Sequence, residues 1–412
     1  MRLTAFFTLS ALLLTTSVTA ADYDLNKPFG FCTSCSMAEG DSYDISGGGC
    51  YSYPIPNDFT GKVVVLKSNG KDMKSEIEST VKQNDVIILD GSKGDFLVSG
   101  NIEISESGKT LLGVNNARLC TQWYVTDEIK KLLDDNGVPS LSTSSGTGGT
   151  LSNGQRVSEA AEMMTRQLLI DYTGDPHEHY RTVGIMSLHR CSNVIIRNLT
   201  FVGPGSIDVG GKDLLTAFGA THCWVDHCVF MDGMDGNFDI TMQSNYITVS
   251  WCTFSYTARS YMHQNTNLVG SGDRFAMDED FLNTTFAFNW WGTGCKQRMP
   301  MARYGTIHML NNYYSCTTAD RCINARKDSE FLIEGNYFDE GVRNVFSQND
   351  AKRWTWALSN YCAELFTPSS SGEAVTVPYD YIVAPASEVP ALVKERAGAT
   401  LFTQIVTLPY SN

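Results

Sequence analysis

Ser192–Phe201 reads SNVIIRNLTF. The same theme, an alternating apolar run closed by Asn or an aromatic, returns as HCWVDHCVF (222–230), YITVSWCTF (246–254), TTFAFNWW (284–291), IHMLNNYY (307–314) and FLIEGNYF (331–338). Aligned on the closing aromatics, the step is 29 from Phe201 to Phe230, 24 from Phe230 to Phe254 and 24 again from Tyr314 to Phe338. A recurring step of this size marks a solenoid, in which each repeat buries its apolar face only against its neighbours. Each segment alternates as a strand of about five residues, rich in β-branched and aromatic side chains and bounded by Gly, Asn or Asp. No strong helical pattern fills the intervals, which disfavours strands and helices alternating around a parallel sheet. The repeat predicts an all-β chain, a right-handed parallel β-helix whose coils stack at about 4.8 Å.

Stacking has consequences for single residues. Asn198, Asn289, Asn311 and Asn336 sit near the ends of their segments, where piled asparagines can satisfy one another's amides. Cys228 and Cys252 each stand two residues before the closing aromatic, so they are expected on adjacent coils. That spacing is within reach of a disulfide, and equally suits two stacked apolar thiols. The C-x-x-C of Cys32 and Cys35 has no second pair at zinc-ribbon spacing, which argues against zinc.

The bulk numbers agree with a large folded chain. It has 412 residues, and with only 18% charged residues and 11% aromatics it is neither disordered nor short of core. The first residues, MRLTAFFTLSALLLTTSVTA, combine one Arg, an apolar run and a small-residue end, which is the pattern of a signal peptide over 1–20. No other run approaches membrane-spanning length, so a secreted, extracellular or periplasmic protein is expected, with no membrane partner and as a monomer. The remainder, 21–412, reads as one domain interrupted at about 121–182. There Thr126–Asp135 and Ser158–Asp171 are helix-like and flank a Ser/Gly-rich linker over 140–155. Net charge is −14, which argues against a nucleic-acid partner. An acidic polysaccharide stays possible if its attraction is local, through a few cations.

Those local cations have candidates. Arg298 and Arg303 stand five apart in RMPMARYGTIHMLNNYY (298–314), and upstream WVDHCVFMDGMDGNFD (224–239) holds Asp235 and Asp239 as D-G-x-x-D. Calcium prefers several carboxylate oxygens, and fixed cations beside fixed carboxylates suit an acidic substrate. Asp-Gly is also an ordinary turn pair.

These motifs, W-V-D-H, D-G-x-x-D and R-x-P-x-x-R-x-G-x-x-H-x-x-N-N-x-Y, resemble those of the calcium-dependent pectate lyases of the parallel β-helix type. The resemblance is also visible over 84–119 and 378–399, and breaks at the insertion. It implies that Asp213, Asp235 and Asp239 bind Ca2+, that Arg298 is the catalytic base and that Arg303 binds a substrate carboxylate. The implied reaction is β-elimination on polygalacturonate, an acidic plant cell-wall polysaccharide, with an alkaline optimum because an arginine must lose its proton. Trp224, His227, His308 and Asn312 read as structural residues fixing strand ends and turns, and Asp226 as a residue orienting its neighbours. One position departs from the family: Asn265, five before the Gly of NLVG (267–270), stands where a lysine is usual. Arg259 and Lys296 are the candidates to replace that cation.

Other readings are weaker. A pectin lyase acting on methyl esters has no need of the three aspartates. A polygalacturonase needs paired catalytic carboxylates, and the adjacent pair Asp134–Asp135 falls in the insertion. The Asn265 departure leaves a non-catalytic polysaccharide-binding β-helix as the alternative from another class.

Overall fold

The computed structural model of the chain describes residues 24, 26–139, 157–178, 180, 183–207, 209–210, 212–363 and 368–402. The leader over 1–20 and the linker over 140–155 lie outside the described residues.

Among the described residues, three parallel sheets of ten, nine and eight strands stack coil upon coil. One coil shows the rule: Thr221–Asp226 lies in the ten-stranded sheet, Val229–Met231 in the nine-stranded and Phe238–Thr241 in the eight-stranded. The chain then enters the next coil at Asn245–Ser250, with Val225 opposite Val249 and Phe230 opposite Phe254. This is the parallel β-helix that the repeat predicts. The closing aromatics stack as one column inside it. Ring centroids are 4.9 Å apart for Phe201 and Phe230, 5.3 Å for Phe230 and Phe254, and 4.3 Å for Tyr314 and Phe338.

Each repeat segment expected as one strand is in fact two. Ser192–Arg197 is followed by Thr200–Val202, and Thr306–Leu310 by Tyr313–Tyr314. Between them the chain turns from one sheet to the next through a single left-handed residue. Asn198, His227, Trp251, Phe288 and Asn311 all take this role, with φ between 49° and 60°. Bulky residues rarely adopt that conformation, so nothing in the alternation announces the corner.

The corner also sorts the asparagines. The ladder is Asn289, Asn312, Asn336 and Asn360, each amide nitrogen donating to the next carbonyl oxygen at 3.1, 2.9 and 3.0 Å. Asn289 and Asn336 were expected there. Asn198 and Asn311 instead occupy the corner and clamp the C-terminal segment, Asn311 to Ala384 and Asn198 to Leu401. All twelve cysteines are free, so Cys228 and Cys252 are buried thiols and not a disulfide.

The insertion is helical as expected, with helices Asp127–Asp135 and Val157–Thr173. Thr126 caps the first by accepting from the Ile129 amide at 3.3 Å. Ile129, Leu133 and Leu169 pack against Ile207, Val209, Met234 and Met262. The insertion therefore braces the loops that lead into the eight-stranded sheet. The N-terminal turn Gly30–Thr33 lies against the ten-stranded sheet, where the Phe31 and Cys32 amides donate to Thr285 and Thr248 hydroxyls. Among the described residues no helix is long and apolar enough to cross a membrane.

Candidate active site

Parallel stacking turns a sequence separation of one coil into a contact. Asp213 precedes the strand Leu215–Phe218, and Asp239 lies in the strand Phe238–Thr241, where it pairs with Thr216. The Thr216 hydroxyl donates to Asp213 Oδ2 at 3.0 Å, while Asp213 Oδ1 is buried with no hydrogen-bond partner. Asp239 Oδ1 accepts from the Leu268 amide at 2.9 Å. Gly236 lies between the two carboxylates. A Cβ at Gly236 would stand 2.7 Å from Asp213 Oδ1 and 2.9 Å from Asp239 Oδ1, closer than real contacts allow.

Asp235, on the same turn, is held differently. Its Oδ1 lies 2.6 Å from His263 Nε2, and His263 is also 2.9 Å from the Asn265 amide. Among the described residues no three His, Cys, Asp or Glu side chains converge as a formed metal cluster. The structure thus joins Asp213 with Asp239 and turns Asp235 toward histidine. The three still sense one another. Burial, then the charge of Asp235, pushes the Asp213 carboxyl up to about 7. Burial and the charge of Asp213 push Asp239 well above the usual range. Burial alone would also raise Asp235, but the hydrogen bond and charge of His263 hold it below the ordinary value. The carboxylates at Asp213 and Asp239 are short of positive charge, and one oxygen lacks any partner. Hard, oxygen-rich and underneutralised, this set fits a divalent cation of the calcium type.

Arg298 faces that cluster, and its charge opposes the upward shift of both Asp213 and Asp239. The backbone holds it at φ 60°, just before the cis Met299–Pro300 bond, and its carbonyl accepts from the Asn267 amide at 2.7 Å. Its guanidinium has no hydrogen-bond or ion-pair partner among the described residues. Arg303 differs. Its Nε donates to Asp273 and its Nη1 to the Gly270 carbonyl at 2.9 Å, and it is only 9% exposed. Burial lowers its pKa, against the opposing pull of Asp273. Asp273 also binds Arg326 Nη2 at 3.3 Å.

The two proposed substitutes for the usual lysine now separate. Arg259 is already engaged, donating to the Gly203 carbonyl at 2.9 Å and lying 4.4 Å from the centroid of the Tyr124 ring. Lys296 has no side-chain partner among the described residues, and its amide bonds to Gln264 on the coil above at 3.2 Å. His263 and Asp273 were not singled out from the sequence. Each lies beside a recognisable marker, two before Asn265 and three after Gly270, but only the coil register shows which side chains they meet.

The fold and the site define a β-helical protein with a carboxylate cluster faced by arginine, suited to an anionic ligand. The sequence model of the family described as pectate lyase matches residues 153–400, more than half of the chain. The chain therefore belongs to the pectate lyase family. It is 40% identical over 139 residues to a pectate trisaccharide-lyase of Thermotoga sp. (strain RQ2), covering 32% of this chain and 36% of that protein. It is 32% identical over 218 residues to a pectate lyase A of Aspergillus niger, covering 51% of this chain and 63% of that protein. The chain thus spans between about a third and two thirds of the length of these relatives. Among solved structures, the fold is similar to that of a Bacillus subtilis pectate lyase, with TM-score 0.54, 18% identity, and 92% of this chain and all of that chain covered. It is also similar to a Bacillus pectate lyase in complex with trigalacturonate, with TM-score 0.53, 17% identity, and 90% and 98% covered.

Proposed function

We propose that this protein cleaves polygalacturonate by β-elimination, with calcium as its cofactor. The observation that carries this reading is the Asp213–Gly236–Asp239 cradle, with its unpartnered Oδ1, under the charge of an Arg298 whose guanidinium has no partner among the described residues. Asp213 and Asp239, with Asp235, are the residues that would hold the cation. When bound, calcium supplies positive charge beside the uronate carboxylate and so acidifies the neighbouring C5 proton.

The chain's own residues do the rest. Arg298 takes the C5 proton, for which its guanidine must first be neutral, and this favours alkaline conditions. The C5–H electron pair forms the C4–C5 double bond, and the C4–O bond breaks with its electron pair passing to the glycosidic oxygen, which takes a proton from water as the leaving sugar departs. Arg303, with Nε and Nη1 already bound to Asp273 and Gly270, has Nη2 left to meet a substrate carboxylate. The tie to Asp273 fixes that guanidinium before substrate arrives. The leader-like 1–20 supports export, and the net charge of −14 supports a partner that is not nucleic acid.

The test compares polygalacturonate with highly methylated pectin, each with calcium and with chelator, reading the ultraviolet absorbance of unsaturated product. Activity on polygalacturonate should vanish with chelator and fall as methyl esterification rises, because an ester cannot bind a cation as an anion. Faster, chelator-insensitive cleavage of the methylated polymer would overturn the reading in favour of a pectin lyase.

A further inference from the structure

The nine-stranded sheet carries a second row of rings on its outer face. Strand register sets Trp290 beside Tyr313, Tyr313 beside Tyr337 and Tyr337 beside Tyr361. The residues that follow the first, second and third of these, Trp291, Tyr314 and Phe338, are fully buried inside the coil, so strand alternation turns this row outward. The helix Val389–Arg396 packs over the early members. Its Leu392 and Val393 share a cluster with Trp290, Tyr313 and Tyr337, and Lys394 Nζ lies 4.9 Å from the Tyr313 ring centroid. The row ends at Tyr361, in the edge strand Tyr361–Cys362. Tyr361 is 45% exposed and stacks on Tyr337 at 4.5 Å and 21°. No second ring meets it among the described residues. Other exposed aromatics are not built this way. Tyr172 and Phe275 stack on no ring among the described residues, and the Tyr124 ring faces the Arg259 guanidinium. Beside the stacked pair is an open concavity of about 470 Å³, walled by Tyr337, Asp339, Glu340, Tyr361 and Ala363. Asp339 Oδ2 accepts from the Tyr313 hydroxyl and its Oδ1 from the Glu340 amide. Glu340 is exposed, and its carboxylate makes no hydrogen bond or ion pair among the described residues.

We infer that Tyr337, Tyr361, Asp339 and Glu340 form a surface site for a neutral glycan, on a different sheet from the strand that carries Asp239. A tyrosine ring offers an apolar face to the C–H groups of a pyranose, with a polar hydroxyl at its tip. Ionised carboxylates only accept hydrogen bonds, which suits sugar hydroxyls as donors. The same carboxylates repel a uronate, so this site does not take the polymer proposed for Arg298. Nor is it a trap for a cation. Both oxygens of Asp339 already accept hydrogen bonds, which leaves Glu340 as a single acceptor beside an apolar platform. The end of a stacked row takes a further ring as its next layer, at the coil spacing of about 4.8 Å. The inference stands apart from the chemistry at Arg298. If the substrate is one polymer of a plant cell wall, a neutral anchor on this sheet holds the protein beside it without occupying the cleft.

Native electrophoresis of the full chain in gels containing β-1,4-galactan or hydroxyethylcellulose, each against a plain gel, tests this. The parent should be retarded by at least one of the two glycans. Tyr361→Ala should weaken that binding by roughly fivefold or more, the loss of one ring contact. Tyr361→Phe keeps the ring and should hold most of the affinity, which separates stacking from a folding defect. Tyr172→Ala, at an exposed tyrosine outside the row, should match the parent. Free migration of the parent in both gels, or parent-like retardation of Tyr361→Ala, would overturn the site. So would binding of a labelled oligolysine that depends on Tyr361 while neither glycan binds, since the surface would then serve a cationic peptide. Cleavage is not read at any step, so loss of this site and loss of the lyase reading are separate results.

Discussion

Asp213 and Asp239 face each other across Gly236, whose missing side chain is the space between their Oδ1 atoms. No positive φ constrains Gly236, so alanine there meets a steric obstacle and not a backbone one. Gly236→Ala should therefore keep the fold and lose the cradle. Calcium affinity, measured by calorimetric titration, should drop roughly tenfold or more, about 1.4 kcal/mol, with an unchanged circular dichroism spectrum. Undiminished affinity would remove Asp213 and Asp239 as a shared cation site.

Arg298 lies close enough to the same cluster for its charge to act on Asp213 and Asp239, and its guanidinium has no partner among the described residues. Arg298→Lys keeps the charge but not the guanidine's planarity, reach or proton affinity. We expect kcat to fall by about 10²–10⁴, the range for loss of a positioned base, with KM within a few-fold. Steady-state kinetics on polygalacturonate decides this. Turnover close to the parent's would show that another group takes the proton.

On the ten-stranded sheet, Arg197 Nε donates to Asp226 Oδ2 at 2.7 Å with both side chains fully buried. His227 Nδ1 shares that oxygen at 2.7 Å, and the Ser250 hydroxyl donates to Oδ1 at 2.7 Å. Burial alone would raise the Asp226 carboxyl, but the charges of His227 and Arg197 and these hydrogen bonds hold it below the ordinary value. A depressed carboxyl stabilises the fold above its unfolded pKa of about 3.9, and the gain is lost as pH falls through the folded value. Asp226→Asn should cost about 3–5 kcal/mol at neutral pH by removing the carboxylate charge that balances the buried Arg197 guanidinium. Its urea midpoint should also depend less on pH below about 4 than the parent's. A parent-like midpoint and acid response would refute this.

Asn312 is the inner rung of the asparagine ladder. Its Nδ2 donates to the Phe286 carbonyl and to Asn336 Oδ1, both at 2.9 Å, and its Oδ1 accepts from the Asn289 amide at 2.9 Å. Asn312→Ala strands several buried groups at once, at about 1–3 kcal/mol each. We expect a loss of about 3 kcal/mol in urea denaturation with full activity in the surviving folded fraction. Asn198→Ala, outside the ladder, should instead loosen the C-terminal segment near Leu401, read as faster amide exchange there.

The architecture was legible in the sequence alone, and so were the candidate residues of the site. The recurring step fixed the coil, and the closing aromatics stack as the step requires because parallel strands place equivalent residues in register. The motifs around Asp235, Asp239, Arg298 and Arg303 were legible as strings. What tertiary structure alone decided is which side chains those strings meet. Each repeat breaks at a left-handed corner occupied by residues as unlike as Asn198 and Trp251, and that break moved Asn198 and Asn311 out of the ladder and Asn312 into it. Only the coil register sets Asp213 and Asp239 around Gly236, gives Asp235 to His263 and Arg303 to Asp273, and engages Arg259 while leaving Lys296 without a side-chain partner among the described residues. These partners are 26 to 30 residues apart in the chain, except for the 56 between Arg259 and Gly203. Spacing along the chain shows that such residues fall on adjacent coils. Where each loop leaves the strand, and hence which atoms touch, depends on turns whose lengths differ from coil to coil.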